Sequence, residues 1–334
     1  MTDADGNLAD YWTWCAKNGV VSKKLSLRRC VQGLMPQLSL HVDEPVRAGA
    51  IVATVPYLVA LNVQTIRGDM KPAIVPPVCA MCTFLTRRRR MDIVTARSLW
   101  LACCLACYRR LLLQGHSLSN APLFSRLLMP ELPSPFTPTY IRGYPALAAS
   151  IPEGVDDAVE HSFLSLVRRQ VEGQLRVTHA ALHFYHRRRL PHLSQQFVPS
   201  FDELCVAYRT VLHRSLLLPV DCVPSSPGDL ADLFSERPDL DLLPTLVPLV
   251  DVIRGSSAAR MSTNAAGSDV RGSGDDNTAA NCALYTCTQA DFFSSGSRRR
   301  VVFETEPLSS RRVVVCATRD MKEGEELLLD YSSP

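Results

Sequence analysis

The sequence lacks a long apolar run, a secretory leader and a strong imbalance of charge. A net charge of +3 over 334 residues excludes a strong electrostatic field for nucleic acid. The most apolar stretch, Leu99–Ala106, soon meets Arg109 and Arg110, far short of the roughly 18 residues that a membrane span needs. The first seven residues are polar and acidic and do not resemble a leader. We therefore expect no membrane partner and a cytoplasmic or nuclear location.

Basic residues are concentrated in three short arginine runs. The runs are Arg87–Arg90, Arg187–Arg189 and Arg298–Arg300. The ordinary interpretation is that they are solvated helix ends and loops, and the alternative is a nucleic-acid or nuclear-import patch. Because the net charge is small, nucleic acid is not an expected partner. Hydrophobic residues make up 46% and charged residues 21% of the chain, which is typical of a globular protein with one large core or about two domains.

Twelve cysteines without a leader favour reduced thiols. Two pairs have the CxxC spacing, Cys79 with Cys82 and Cys104 with Cys107, and together they resemble a four-cysteine zinc site. The second pair, however, lies within the helical run LWLACCLACYRRLLL, where Cys104 shares an apolar face with Leu101. Small apolar cysteines in a helix core are the favoured interpretation. We expect no metal, and a zinc-stabilised protein stays as an alternative.

Hydrophobic periodicity predicts strands, then a block of helices, then strands again, which is an α+β fold with a helical insert. The predicted helices are a short one around Leu8–Cys15 that ends at Asn18-Gly19, then Leu99–Leu113, Val155–Arg189 and Phe201–Ser215. The predicted strands are Leu38–Val42, Ile51–Val55, Val247–Ile253, Arg300–Glu304, Val313–Ala317 and Glu326–Asp330. Ser200 stands three residues before Glu203, which predicts a capping box at the start of the last helix.

Composition divides the chain into three parts. Residues 1–97 form a first β-rich half, residues 98–215 a helical insert with a proline-rich connector at 130–145, and residues 216–334 a second β-rich half. Residues from about 255 to 281 are mostly Ser, Gly, Ala, Asn and Asp. Such a segment buries too little apolar surface to order itself, so we expect a flexible insertion there.

Six segments in order resemble the SET-domain protein-lysine methyltransferases of the Rubisco large-subunit methyltransferase-like class. The segments are WTWCAKNGV at 12–20, VDEPVRAGAIVATVPYLVALN at 42–62, LWLACCLACYRRLLLQG at 99–115 with the LPSPFTP that follows, FDELCVAYRTVLHRSLLLP at 201–219, LVPLVDVI at 246–253 and DMKEGEELLLDY at 320–331. None of these segments is specific alone, but their order is. The resemblance implies a SET-domain β-fold of short strands that is split by a helical insert.

The activity that the resemblance implies is methyl transfer from S-adenosylmethionine to a lysine of a protein substrate. Tyr331, in the closing motif, takes the place of the catalytic tyrosine, whose hydroxyl orients the lysine amine. Arg214 and Asp251 take cofactor-side places, with an ordinary ion pair as the alternative interpretation. The amine must lose its proton, since the unperturbed pKa of lysine is about 10.4, and it must lie in line with the methyl group.

The chain departs from the family in the cofactor motifs. Gln37, Leu38 and Ser39 stand where the family has Gly-x-Gly, and their side chains would crowd the close approach that glycine permits. Arg254 follows the acidic residue where the family has an Asn-His pair, and no histidine occurs after His213. Each lost hydrogen bond to a charged group costs about 1.5–3 kcal/mol. We therefore expect a weakened S-adenosylmethionine site.

The sequence ends at Pro334, whereas family members continue into a segment that closes the site and a substrate-binding domain. We therefore expect a divergent protein that lacks this domain. Two functions stay open: a protein-lysine methyltransferase, or a catalytically impaired SET-fold protein that acts as a binding or scaffold module. Cofactor binding discriminates between them.

Overall fold

A computed structural model describes residues 3–22, 25–32, 35–66, 71–116, 157–219, 242–255, 280–288 and 311–329. The α-helices in these ranges are α1 (Asp3–Lys17), α2 (Val78–Thr83), α3 (Ile93–Leu113), α4 (Asp157–Arg189) and α5 (Phe201–Arg214). The strands are β1 (Val21–Ser22), β2 (Leu25–Gln32), β3 (Met35–Val42), β4 (Ile51–Pro56), β5 (Ser215–Pro219), β6 (Leu242–Leu246), β7 (Arg254–Gly255), β8 (Cys282–Thr288), β9 (Arg311–Ala317) and β10 (Leu328–Leu329). This mixture of helices and short strands confirms the α+β prediction.

The chain divides into two compact units. Unit 1 comprises Met1–Ala60 and Val247–Pro334, and unit 2 comprises Leu61–Leu246. The helices α2 to α5 all belong to unit 2. The division into 1–97, 98–215 and 216–334 describes two halves and an insert rather than compact units, and it stays a prediction.

Unit 1 contains a six-stranded sheet and a long hairpin. The sheet has the order β1-β4-β9-β8-β10-β7. The pairs from β1 to β8 are antiparallel, and β10 runs parallel to both β8 and β7. Strands β2 and β3 pair antiparallel from Leu25 opposite Val42 to Gln32 opposite Met35. The predicted strands near Leu38–Val42 and Ile51–Val55 are confirmed, whereas β2 was not predicted.

The opening helix α1 packs its apolar face into unit 1. Tyr11, Trp14 and Cys15 are buried, in agreement with their helical spacing. Gly19 follows the helix at φ 74°, a left-handed conformation that glycine adopts without steric cost. The predicted stop at Asn18-Gly19 is therefore confirmed.

Unit 2 is built on the buried helix α3. Residues Ala96 to Tyr108 are all buried, including Cys103, Cys104 and Cys107. The interpretation of these cysteines as core residues is confirmed. Asp92 caps the helix, since its carboxylate accepts a 2.7 Å hydrogen bond from the Thr95 N–H, which satisfies one of the backbone donors left over at a helix start.

The start of α5 shows the predicted capping box. The Ser200 hydroxyl accepts a hydrogen bond from the Glu203 N–H, and the Glu203 carboxylate accepts one from the Ser200 N–H. The same carboxylate oxygen accepts a 2.7 Å hydrogen bond from Nε of Arg110. Glu203 thus both completes the cap and holds α5 against α3.

The predicted strand Val247–Ile253 is wrong. Strand β6 lies earlier, at Leu242–Leu246, and is followed by a turn and a 3₁₀ helix over Val250–Val252. An apolar run reports burial but does not by itself distinguish a strand from a buried turn. Pro248 lacks the N–H that a central strand would need, and Leu249 takes a positive φ of 67°, which lies outside the extended region that a strand requires.

The closing segment forms less strand than predicted in its described part. Over residues 326–329, the structure has a single bridge at Glu326 and the two-residue strand β10. The predicted strand at Arg300–Glu304, the proline-rich connector at 130–145 and most of the insertion at 255–281 lie outside the described residues. No helix in the described ranges combines the length and apolar character needed to cross a bilayer. The cytoplasmic or nuclear location stays a prediction.

Candidate functional site

The closing segment of unit 1, Met321–Leu329, is hydrogen-bonded along β3 and the residues after it. Val46 and Met321 exchange two backbone hydrogen bonds of 2.9 and 2.7 Å, and the Leu327 N–H donates to the Leu40 carbonyl at 2.8 Å. Between them, Gly324 makes the turn at φ 80°. The segment that leads towards Tyr331 is therefore held by backbone pairing to the strand that carries Gln37, Leu38 and Ser39.

Asn281 fastens the closing segment to the sheet. Its side chain is buried. Its Oδ1 accepts from the Leu328 N–H at 2.8 Å, and its Nδ2 donates to the Glu326 carbonyl at 2.7 Å and to Oε1 of Glu325 at 3.2 Å. Both amide hydrogens are therefore used inside the protein. Composition placed Asn281 at the edge of the flexible insertion, but the structure places it in a fully bonded core position.

Glu325 is the second anchor of this turn. Its carboxylate accepts hydrogen bonds from the Lys322 N–H at 3.0 Å, from Nδ2 of Asn281 and from the Arg319 guanidinium. Burial by itself raises the pKa of Glu325, but these hydrogen bonds and the positive charge of Arg319 outweigh burial and lower the pKa. The turn is thus built around a carboxylate that the protein keeps ionised.

Ser39 and His41 form a hydrogen-bonded pair on one face of β3. Nδ1 of His41 lies 2.9 Å from the Gly324 carbonyl, which can only accept, so Nδ1 carries the hydrogen. In the neutral ring, Nε2 then accepts from the Ser39 hydroxyl at 2.8 Å. Ser39 is fully buried. The residue that replaces the expected glycine is therefore engaged in fastening β3 to the closing turn.

Asp251 lies in a strained turn of unit 1. The preceding Leu249 has φ 67° and ψ −44°, which lies near the rare γ-turn conformation and costs energy for a branched side chain. The Leu249 N–H donates a 2.8 Å hydrogen bond to the hydroxyl oxygen of Tyr11. Asp251 itself is buried. The role of Asp251 as a site residue stays a prediction.

Arg254 enters the sheet directly after Asp251. Strand β7 pairs parallel with β10, with Arg254 opposite Leu328 and Gly255 opposite Leu329. The 3₁₀ helix that holds Asp251 also contacts β3. Within unit 1, β3 and the Asp251–Arg254 segment therefore both lie beside other described elements: β3 contacts the 3₁₀ helix that holds Asp251 and pairs with the closing segment, and β7 pairs with β10.

Two predicted site residues lie outside the described part of unit 1. Arg214 is the last residue of α5 and belongs to unit 2. Tyr331 lies outside the described residues, two positions beyond the end of β10 at Leu329. The roles proposed for both stay predictions.

The sequence patterns indicated no role for His41 or Tyr11, and composition assigned Asn281 to the flexible insertion. The alternation of Ser39 and His41 on a predicted strand placed both on one face, and this was a usable signal. No signal was available for Tyr11 or Asn281, because their partners Leu249 and Leu328 lie 238 and 47 residues away.

The mixed sheet, the hairpin against a closing segment and the inserted helical unit match the SET-domain fold of a solved structure. The chain is similar over 98% of its length to the crystal structure of the SET domain of LSMT bound to lysine and AdoHcy, with a TM-score of 0.51 and 11% identity. The match spans 54% of that chain. At this identity the likeness establishes the fold, and the chain spans about half the length of the structure it matches.

Two further solved structures show the same likeness at lower scores. They are the SET domain of LSMT bound to methyllysine and AdoHcy, with a TM-score of 0.48, 12% identity and coverage of 97% of this chain and 53% of that one, and Rubisco LSMT bound to AdoMet, with a TM-score of 0.43, 11% identity and coverage of 97% and 52%. No protein-family model and no curated protein sequence matches the chain.

The residues of unit 1 fit the motifs that would bind S-adenosylmethionine only in part. The backbone framework of β3, the Asp251 turn and the closing strand is present. Ser39, where glycine was expected, is buried and hydrogen-bonded to His41. The side-chain amide of Asn281 is hydrogen-bonded to the closing segment. Neither the Ser39 hydroxyl nor the Asn281 amide is therefore available to replace the expected glycine or Asn-His pair.

Proposed function

We propose that this protein transfers a methyl group from S-adenosylmethionine to the side-chain amine of a lysine in a protein substrate. The observation that carries the proposal is the similarity of fold over 98% of the chain to a SET domain whose structure holds lysine and AdoHcy. The six motif segments that occur in the family's order give independent support from the sequence.

In this reaction the protein binds the neutral lysine amine and orients it towards the methyl group. S-adenosylmethionine supplies the methyl group when it is bound. A lysine amine, with an ordinary pKa of about 10.4, must shed its proton before it can attack, and correct placement of the two reactants supplies a large part of the rate. We assign the placement of the amine to the hydroxyl of Tyr331, and the cofactor side of the site to Arg214, Asp251, Arg254 and the residues Gln37–Ser39.

The replacement of the Gly-x-Gly and Asn-His motifs predicts weak binding of S-adenosylmethionine. Calorimetric titration of the full chain with S-adenosylhomocysteine tests this, because this demethylated product of the cofactor binds without turnover. We expect saturable binding weaker than micromolar. Micromolar or tighter binding contradicts the weakened site, and the absence of heat and of any thermal stabilisation at millimolar ligand contradicts the methyltransferase proposal itself.

Tyr331→Phe tests the catalytic assignment. The assay incubates the purified chain with methyl-labelled S-adenosylmethionine and a protein extract, and then looks for methyl-lysine after hydrolysis. Loss of the hydroxyl removes the group that orients the amine, so we expect methylation to fall by about 10²-fold or more. The same substitution should leave S-adenosylhomocysteine binding unchanged. Unaltered turnover would reject the role of Tyr331.

A binding or scaffold module is the second candidate. It is favoured by the engagement of Ser39 with His41 and of Asn281 with the closing segment, because these contacts use polar groups for cohesion rather than for a ligand. Under this alternative the chain binds a protein partner through a SET fold and gives no methyl-lysine product in the same assay.

A further inference from the structure

Helix α4 carries a second, outward-facing row of apolar side chains. The face that packs into unit 2 is marked by the buried Val167, Leu175 and Leu182. On the opposite side of the helix, residues at alternating steps of four and three positions form a row that we call the outer seam. Its members are Leu166, Gln170, Gly173, Val177, Ala180 and Phe184. All of them are exposed except Val177, which is half-buried.

The spacing of the outer seam is the spacing of paired helices. Steps of four and three residues repeat every 3.5 residues on average, which keeps one side of a helix in contact with a second helix along its length. A helix that only covers its own core needs one apolar face, and α4 has two. Leu166 and Phe184 are each 63% exposed, and they lie about 27 Å apart along the axis. The outer seam can therefore accommodate a partner helix of about five turns.

Gly173 gives the outer seam room for a close approach. Glycine in a helix interior is less stable than alanine. The protein's own packing does not require it, because a Cβ at Gly173 would meet no atom of the described residues within 4 Å. Ala180, seven positions further along the helix, is also small. The two residues leave a shallow depression between the exposed side chains of Leu166 and Phe184, into which the side chains of a second helix can fit.

Arginines flank the outer seam and determine the charge of the helix that it can bind. Arg169 and Arg187 lie along one edge and Arg188 along the other, and all three are exposed. Glu172 is the only acidic residue between positions 161 and 200, and its Oε1 already lies 2.6 Å from Nη2 of Arg176. Within the described ranges, neither Arg169 nor Arg187 has an acidic partner. The edges of the seam therefore offer positive charge to carboxylates of a partner.

We propose that the outer seam of α4 binds an acidic amphipathic helix of another protein. The apolar side chains of that helix pack between Leu166 and Phe184, and carboxylates on its flanks pair with Arg169 and Arg187. A second copy of this chain does not fit, because the arginines of two such seams would lie against each other and like charges repel. The proposal does not depend on the methyl-transfer function.

Fluorescence anisotropy with a labelled, designed helical peptide tests the outer seam. The probe has three heptads, with leucine at the positions that repeat every 3.5 residues and glutamate at the positions that flank them. Its control carries lysine in place of every glutamate. We expect the acidic peptide to bind the full chain one to one with a Kd of about 100 μM or tighter, and more weakly as salt is added. The lysine peptide should not bind up to about 1 mM.

Gly173→Glu is the variant that locates the binding site. It places a carboxylate in the outer seam, so the affinity for the acidic peptide should fall about tenfold or more. Its Tm should not fall, because glutamate favours a helix more than glycine does. The matched control is Leu113→Glu, which adds the same charge to a leucine of α3 that is 69% exposed, and it should bind as the unaltered chain does. Phe184→Ala leaves the charge unchanged and should weaken binding severalfold, because it removes apolar contact.

Circular dichroism of each variant establishes that it folds. The proposal is overturned if the acidic peptide does not bind up to about 1 mM, if Gly173→Glu binds it as tightly as Leu113→Glu does, or if Phe184→Ala binds it as tightly as the unaltered chain. It is also overturned if sedimentation shows a dimer that Gly173→Glu dissociates, because the seam then pairs two copies. Tighter binding of a single-stranded oligonucleotide than of the peptide, lost in Gly173→Glu, would overturn it in favour of nucleic acid.

Discussion

Oδ1 of Asn281 accepts a 2.8 Å hydrogen bond from the backbone N–H of Leu328. The Asn281 N–H in turn donates to the Leu328 carbonyl at 3.1 Å. The side chain and main chain of Asn281 thus satisfy both backbone groups of Leu328, in the strand that leads to Tyr331. Asn281 acts as an extra strand position beside β10, and the closing segment depends on it.

Asn281→Ala should destabilise unit 1 specifically. It removes the hydrogen-bond partner of the buried Leu328 N–H, and this should cost about 1–3 kcal/mol of the free energy of unfolding. Hydrogen exchange measured by mass spectrometry should show faster exchange in residues 326–329.

The control for this variant is Asn62→Ala in unit 2. Asn62 is equally buried, and its Oδ1 accepts from the Gln64 and Thr65 N–H groups. It should lower stability by a similar amount while residues 326–329 keep their protection. An equal loss of hydrogen-exchange protection in residues 326–329 of both variants would mean that Asn281 does not specifically stabilise the closing segment.

Glu325 should make the stability of the closing turn depend on acid pH. Its pKa is lowered in the folded protein, so the native state binds this proton less readily than the unfolded chain. The stabilisation is therefore complete above the ordinary glutamate pKa of about 4.3 and is lost as the pH falls below it.

Glu325→Gln should cost about 1–2 kcal/mol at pH 7, and the difference from the unaltered chain should shrink as the pH falls below about 4. Denaturant titrations at a series of pH values measure this. Glu323→Gln, an exposed change in the same turn, should show no such trend. A difference that is constant with pH would show that the Glu325 charge does not hold the turn.

Local patterns predicted the helices well. The capping box at Ser200 and Glu203 and the stop at Gly19 depend on residues a few positions apart, so sequence alone defines them. The turn at Leu249 could not be predicted in this way. A leucine in a γ-turn conformation is unfavourable locally, and it is supported by the Tyr11 hydroxyl from the other end of the chain.

The candidate site was predictable only as a set of segments. The order of motifs identified the SET fold, and β3, the Asp251 turn and the closing strand do meet in unit 1. The uses of Ser39 and Asn281 could not be foreseen, because a hydroxyl or amide offers the same hydrogen bonds to a ligand and to its own protein. Only the positions of His41 and Leu328 decide between the two.

Burial should protect the cysteines of α3 from reagents. Cys103 and Cys104 are fully buried, and burial raises the pKa of both thiols far above the usual range. Because the thiolate is the nucleophile, we expect no alkylation of either residue in the native chain at pH 8. Partly exposed Cys79 should react first.

Peptide mass spectrometry after brief exposure to iodoacetamide measures this order of reaction. The same exposure in denaturant should label all three cysteines and serves as the control. Rapid native labelling of Cys103 would contradict its place in the packed core of unit 2.

Restoring glycine on β3 should strengthen cofactor binding if side chains there limit it. The double change Gln37→Gly and Ser39→Gly recreates the family's Gly-x-Gly and removes the Ser39 hydroxyl from His41. One backbone hydrogen bond gained by closer approach is worth about 0.5–1.5 kcal/mol, which corresponds to about 2- to 12-fold tighter binding of S-adenosylhomocysteine by calorimetry. Each glycine in a strand also lowers stability by about 0.5–1 kcal/mol.

Ser26→Gly on the partner strand β2 separates these two effects. Ser26 pairs opposite His41, and its hydroxyl donates to Asp43 at 2.6 Å, so its loss softens the same hairpin without altering the Gly-x-Gly position. It should lower stability and leave affinity unchanged. If the double variant binds S-adenosylhomocysteine no more tightly than Ser26→Gly does, crowding by Gln37 and Ser39 does not weaken the site. The weak binding would then be attributed to the missing Asn-His pair.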